Sequence, residues 1–436
     1  MNRRNVLKAM LIGSGVGVLN VSSYRKMVAF AETGGSDYKA LVCLFLLGGN
    51  DTNNVIVPLD NRYAMYSSAR GQLSIDQGSL LPLAGTAYGL HPSLSNIQAL
   101  FKQGNAAIVA NMGPLVQPTT VAQYHANTVA LPRNLRAHDD QRNCVATALR
   151  TSGYATGWGG RIADALGQQS AGSLPMTMSL CGATPFINGV QSHGYYPGGG
   201  WSCSEGSWCA AVDTAVHAVG TLTSDSALVQ ADQQILSGIE TMNTTYAHAM
   251  ASASIPKVSV PANGLANALL QVAKIMSVRS QLEASRQIFI VGLGGFDTHS
   301  NQISNHGPLL QQLDQALGIF WQVLEQMNLT ESVLTYTLSE FSRTLLSNGG
   351  GGSDHGWGGH HFVIGGAVRG GIYGTFPTLE CGGPDDIDKN GSWLPSTSVN
   401  QYAATMAQWF GVSSAALSQV LPDIPNFPSQ NLGFVR

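Results

Sequence analysis

Four short polar segments carry the residue types from which a metal centre or a hydrolytic site is built. Gly48-Gly49-Asn50-Asp51 follows an apolar run at 41–47, and Gly294-Gly295-Phe296-Asp297-Thr298-His299 follows one at 288–293. Ser339-Glu340-Phe341-Ser342-Arg343 follows a third at 333–338. Ser353-Asp354-His355-Gly356-Trp357 lies behind a glycine run at 349–352 and leads into His360-His361. Mixed carboxylate and imidazole donors suit a divalent ion, and these types alone do not choose among zinc, manganese, iron and calcium.

Each segment also admits a plainer reading. Two glycines let the backbone turn tightly and approach a ligand, so Asp51 can reach a hard metal; it can equally satisfy its own backbone in an Asx turn. Asp297 and His299 face the same way on extended backbone, so carboxylate and imidazole can grip one cation. Alternatively Asp297 orients His299 or caps the next helix. Glu340 binds metal, acts as base, or simply pairs with Arg343, whose guanidinium can steady a phosphate or sulfate. Asp354 and His355 sit side by side behind a glycine hinge. Adjacent side chains on a strand point opposite ways, so only one of His360 and His361 can face a site, and we take His361. His138 opens the cluster His138-Asp139-Asp140-Gln141. There Asp139 or Asp140 reads as a helix N-cap, and His138 as a neighbour of an anion at the helix start.

Strands and helices must bring these segments together. Strand-like apolar runs at 40–47, 106–111, 174–180, 287–293, 333–338 and 362–365 alternate with segments of helical period at 92–103, 307–329 and 401–410. Near-continuous apolar strands separated by helices predict a parallel sheet covered on both faces. In such a sheet ligands bind beyond the carboxyl ends of the strands, where the acidic turns fall. The stretch 187–266 breaks the alternation and reads as a loop and weakly helical insertion able to cover the site, within one α/β domain spanning 32–436.

The first thirty-one residues read as a twin-arginine signal peptide: Arg3-Arg4, an apolar stretch at 9–21, and Ala29-Phe30-Ala31 as cleavage site. The apolar stretch is too short for a membrane span, although an uncleaved anchor is the other reading. The expected location is periplasmic or secreted, with the twin-arginine translocase as partner during export and no transmembrane span in the mature chain. Removing the five basic residues of the leader from 22 Lys+Arg leaves 17 against 25 Asp+Glu, a net charge of −8. The chain has no Lys/Arg run, which argues against nucleic acid as a partner. Cys43 and Cys144 read as buried thiols, and Cys203 with Cys209 as a small-loop disulfide or two free thiols.

The ordered set of motifs resembles the exported family known as domain of unknown function 1501. It includes the Arg3-Arg4 leader, Leu46-Leu47-Gly48-Gly49-Asn50-Asp51-Thr52-Asn53-Asn54, Ala137-His138-Asp139-Asp140-Gln141 and Gly157-Trp158-Gly159-Gly160-Arg161. Phe296-Asp297-Thr298-His299, Ser339-Glu340-Phe341-Ser342-Arg343-Thr344 and Ser353-Asp354-His355-Gly356 complete it. That family is similar to the alkaline phosphatase and sulfatase superfamily. The resemblance implies a three-layer α/β sandwich, a metal centre at the strand ends, and hydrolysis of phosphate or sulfate esters. It makes Asp51 the first-strand ligand, puts Asp297 and His299 on one metal, and completes the shell with His355 or His361. This chain departs from the pattern in carrying Glu340-Phe341 where phosphatases have Asp-His, and Ala137 where a nucleophile would open the helix. Water activated by metal then replaces a side-chain nucleophile, with Thr52 and Thr298 as fallbacks.

The resulting expectation is a divalent ion held by Asp51, Asp297, His299, Glu340, Asp354, His355 and His361, with Glu340, Arg343 and His138 acting on substrate. The substrate would be a small anionic ester or an envelope glycan or lipid. The competing expectation is a non-catalytic envelope binding protein that keeps the fold and a structural cation.

Overall fold

The computed structural model describes residues 37–150, 156–167, 174–197, 218 and 226–436. The leader with its cleavage site and the Cys203–Cys209 pair lie outside the described residues. The principal strands are β1 (Lys39–Leu46), β2 (Ala106–Gly113), β3 (Thr177–Ser179), β4 (Arg286–Leu293), β5 (Val333–Leu338), β6 (Gly359–Ile364), β7 (Gly371–Gly374) and β8 (Thr397–Ser398). They form one eight-stranded sheet in the order β7-β2-β6-β5-β1-β4-β3, with β8 also paired to β2.

β1 is central because its side chains are apolar on both faces. Leu41, Cys43 and Phe45 join a core with Tyr402, Ala403 and Met406 of the helix Val399–Phe410, while Ala40, Val42 and Leu44 are buried as well. β4 and β5 flank β1 in parallel, with Cys43 opposite both Ile290 and Tyr336. Their carboxyl ends therefore stop at one rim, and the turns after Leu46, Leu293 and Leu338 emerge together. The helices Gly264–Ser277 and Gln302–Gln326 pack on each other, and the first rests on β4; Ser95–Lys102 packs on β2. The architecture is a three-layer α/β sandwich with a mostly parallel sheet.

The run at 362–365 belongs to β6, which is antiparallel to both β2 and β5. A parallel return needs a long crossover, usually helical, and between β5 and β6 the chain forms only the hairpin Arg343–Ser347 with Ser353–His355. Of the run at 174–180, only β3 is strand. Within the expected insertion, a helix spans Ala227–Ala251, with Tyr246 receiving a hydrogen bond from Gln271. No helix among the described residues is long and apolar enough to cross a membrane. Cys43 and Cys144 are free and buried.

Candidate metal centre

Three imidazoles and a carboxylate meet at the rim beyond β1, β4 and β5. One ligand atom each from His138, Asp297 and His355 lies within 4.8 Å of the others, the one such group of three among the described residues. His138 Nε2 is 3.5 Å from Asp297 Oδ2, and His355 Nε2 is 3.4 Å from Asp297 Oδ1. His299 joins through Nε2, 3.2 Å from Asp297 Oδ1 and 2.8 Å from His355 Nε2. Two ligands at about 2.05 Å from a tetrahedral ion stand about 3.3 Å apart. The contacts to Asp297 match that spacing; the His299–His355 contact is tighter.

The outer nitrogen of every ring is already engaged. His138 Nδ1–H donates to Glu340 Oε1 at 3.0 Å, and His355 Nδ1–H donates to the Arg136 carbonyl at 2.7 Å. His299 Nδ1 lies 3.2 Å from Asp354 Oδ1. Each assignment leaves an Nε2 lone pair facing inward, the orientation in which metal-binding histidines are held by outer partners. His138 Nε2 is buried and has no hydrogen-bond partner, and the Nε2 atoms of His299 and His355 face each other. Two ring nitrogens as close as those of His299 and His355 need a proton or a cation between them. The donor set therefore fits a divalent ion.

Asp297 is half exposed, so the group opens to solvent on one side. Burial pushes its carboxyl up, but Arg343, through a hydrogen bond and its charge, helped by His138 and His299, holds it below the usual carboxylate range. Burial lowers His355, and the charges of Arg343, His138 and His299 push it the same way, against the Arg136 carbonyl.

Backbone shape brings the pieces this close. Gly48 has φ +117°, and a Cβ there would stand 2.4 Å from the Asp297 nitrogen. A Cβ on Gly352 would stand 2.2 Å from the His299 carbonyl carbon. No side chain fits between these turns.

Several expected ligands do other work. Asp51 is completely buried, and its Oδ2 receives the Arg70 guanidinium and the Gln302 amide; Oδ1 has no hydrogen-bond partner. Arg70 reaches it from the end of the helix Arg62–Arg70 and also donates to the carbonyls of Thr344 and Leu345. Asp51 is thus half of a buried ion pair, not a ligand of this group. Glu340 is fully buried and accepts from the Gly48 nitrogen at 2.9 Å as well as from His138, so it lies behind the His138 ring and outside the convergent group. Arg343 is also fully buried, and it donates to the carbonyls of Gly48, Gly49, Phe296 and Ser353 and to Asp297, which keeps it away from solvent. Asp354 backs His299 and stays outside the convergent group.

His361 is a core residue. β6 is buried on both faces, so alternation sends His361 toward Tyr402 at 6.1 Å and His360 toward Phe376 at 4.5 Å. Burial holds His361 down at about 4, against the Thr337 backbone. The fallback hydroxyls are buried too, Thr52 against Ser342 at 2.8 Å and Thr298 against the Phe296 carbonyl. Neither Asp139 nor Asp140 is an N-cap: the helix His138–Thr147 opens after Ala137, which supplies no capping side chain. That start makes His138 the first helical residue and turns it onto Asp297. Nothing in the local sequence around Arg136, Arg70 and Gln302 marks a carbonyl acceptor, an ion-pair partner or an amide donor to Asp51.

The chain belongs to the family described as protein of unknown function (DUF1501), matching it over residues 38–386. No curated protein matches it. Among solved structures it is similar to one from work on glycosaminoglycan metabolism by Bacteroides thetaiotaomicron, at 10% identity over 87% of this chain and 74% of that one, TM-score 0.37. It is also similar to the PsFucS1 sulfatase from Pseudoalteromonas sp., at 9% identity over 95% and 74%, TM-score 0.35. A third is the C-terminal periplasmic domain of EcEptC from Escherichia coli in complex with Zn, at 10% identity over 90% and 88%, TM-score 0.35.

Proposed function

We propose that this chain is an exported, metal-dependent hydrolase of phosphate or sulfate esters, with one divalent ion held by His138, Asp297, His299 and His355. The observation that supports the reading is the convergence of His138 and His355 Nε2 on the Asp297 carboxylate, with His299 Nε2 beside them and each ring held through Nδ1. Bound there, a divalent ion supplies Lewis acidity toward an ester oxygen and acidifies water. Glu340 keeps the His138 tautomer fixed, Arg343 keeps Asp297 ionised, and the Arg136 carbonyl keeps His355 turned inward. The open side at Asp297 admits substrate, and the position beyond the strand ends is where α/β sheets bind ligands. The buried pair of Asp51 with Arg70 supports a one-ion rather than a two-ion centre.

Elemental analysis of the exported protein and calorimetric titration of the chelated protein with zinc and manganese test the site. About one ion per chain, lost in His138→Ala and His355→Ala, supports it; no binding by folded wild type refutes it. X-ray absorption reports nitrogen ligands independently of turnover. Burial of Thr52 and Thr298 keeps a second reading alive, a non-catalytic envelope binding protein, which metal-loaded protein with no turnover on phosphate or sulfate esters would favour. Export is read from Arg3-Arg4: Arg3→Lys with Arg4→Lys should retain the precursor in the cytoplasm, and the exported form should begin at Glu32.

A further inference from the structure

Arg142 stands one helical turn beyond His138 on the helix His138–Thr147, so both side chains leave the same face. Glu340 lies between them, accepting from His138 at 3.0 Å while Arg142 Nη2 stays 3.8 Å away. Arg142 Nη1 comes no closer than 3.5 Å to Asp139, which is almost fully exposed, and Arg142 Nε has no partner. The Arg142 side chain is 42% exposed, although its Nε is buried. Arg343 on the opposite side is fully buried and spends its donors on backbone carbonyls and Asp297. One cation is locked in place, and the other is partly exposed and held only at length, by the Glu340 carboxylate that bonds His138 Nδ1.

Two further features favour negative charge there. The helix of Arg142 begins at Ala137 with no side-chain cap, so the positive end of its dipole faces the same rim. Glu340 is satisfied by His138 and the Gly48 amide, so Arg142 can leave it without stranding a buried carboxylate. A guanidinium binds tetrahedral oxyanions through paired N–H donors.

We infer that Arg142 is the anion-recognition residue of this site, gripping the non-esterified oxygens of a phosphate or sulfate group whose remaining oxygen meets the ion. The inference rests on the metal-centre reading above. It assigns to Arg142 the role that the sequence suggested for Arg343.

The test uses full-length mature protein, first titrated with zinc or manganese and then, loaded, with inorganic phosphate and with sulfate. Wild type, Arg142→Ala and Arg142→Lys are compared, with circular dichroism and melting temperature reporting the fold. Arg142→Ala should weaken oxyanion binding by about tenfold or more, the size of a lost charge-assisted pair, and Arg142→Lys should recover part of it. Metal affinity should stay within about threefold of wild type in both, because Arg142 is not a ligand. Folded, metal-loaded Arg142→Ala that binds phosphate and sulfate as wild type does would overturn the inference and leave the metal centre standing. So would metal-loaded wild type that binds neither anion. Failure of wild type to bind metal overturns both.

Discussion

At the level of single residues, the pinned histidines and the displaced Asp51 give opposite expectations for two carboxylates that looked alike in sequence. Glu340 touches the His138 ring and Asp51 touches Arg70. Glu340→Gln keeps the shape but lets the amide present either end to His138, freeing the ring to hold its proton at Nε2. Metal affinity should fall by roughly 10–100-fold, as for other outer partners of metal-bound histidines. Asp51→Asn leaves a buried guanidinium uncompensated and should cost about 3–5 kcal/mol in urea unfolding, with metal affinity changing little. Wild-type metal binding in Glu340→Gln, or wild-type stability with lost metal binding in Asp51→Asn, would reverse the two assignments. The sequence showed that both acids end apolar strands. It did not show Arg70, because a helix-terminal arginine before a glycine ordinarily reads as a solvated cap.

Among the elements, the site depends on loops that contribute no ligand. His355 is oriented by the Arg136 carbonyl; Arg136 has φ +71°, and its side chain pairs with Asp388 at 2.7 Å. The Asp388 turn is in turn tied down by Asp386, whose carboxylate accepts from the backbone nitrogens of Gly382, Asp388, Gly391 and Ser392. Asp388→Ala should release Arg136 and weaken metal binding by about three- to tenfold, the scale of 1 kcal/mol. Nitrogen NMR of His355 should show a mixed tautomer in that variant; an unshifted signal would remove the turn from the account. Gly48→Ala acts more directly, since its Cβ would meet the Asp297 nitrogen and its φ is one that alanine resists. A cost of about 1–3 kcal/mol and displaced Asp297 should follow, seen as a lower melting temperature together with weaker metal binding. The strands β1, β4 and β5 were legible because unbroken apolar runs ending in glycine and acid admit few other readings. The reversal of β6 was not, since a buried strand looks the same in either direction and only the short hairpin before it decides.

For the molecule as a whole, the histidines sealed in the interior set the pH response. Burial lowers His91, His306 and His361 to about 4 and His360 to about 3, from 6.5 in the unfolded chain. His360 Nδ1 accepts the Asn111 N–H at 3.0 Å and so must stay neutral in the fold. Between pH 6.5 and about 4 the unfolded chain binds more protons than the native one, so stability is full above 6.5 and is lost as pH falls through this window. At the alkaline end the sign reverses. Burial raises Cys144 to about 12 from 9.0, so its contribution is full below 9 and declines above it. Urea unfolding in chelator, which removes any ion's own pH dependence, should give a plateau from about pH 6.5 to 9 and a steep acid limb. His361→Leu should shallow that limb, because the leucine cannot take up a proton on unfolding, while loss of the bond to the Thr337 backbone lowers the plateau and not the slope. An acid limb of unchanged slope in His361→Leu would mean that His361 takes up its proton as readily in the fold as in the unfolded chain, and would remove it from the groups that set the acid response.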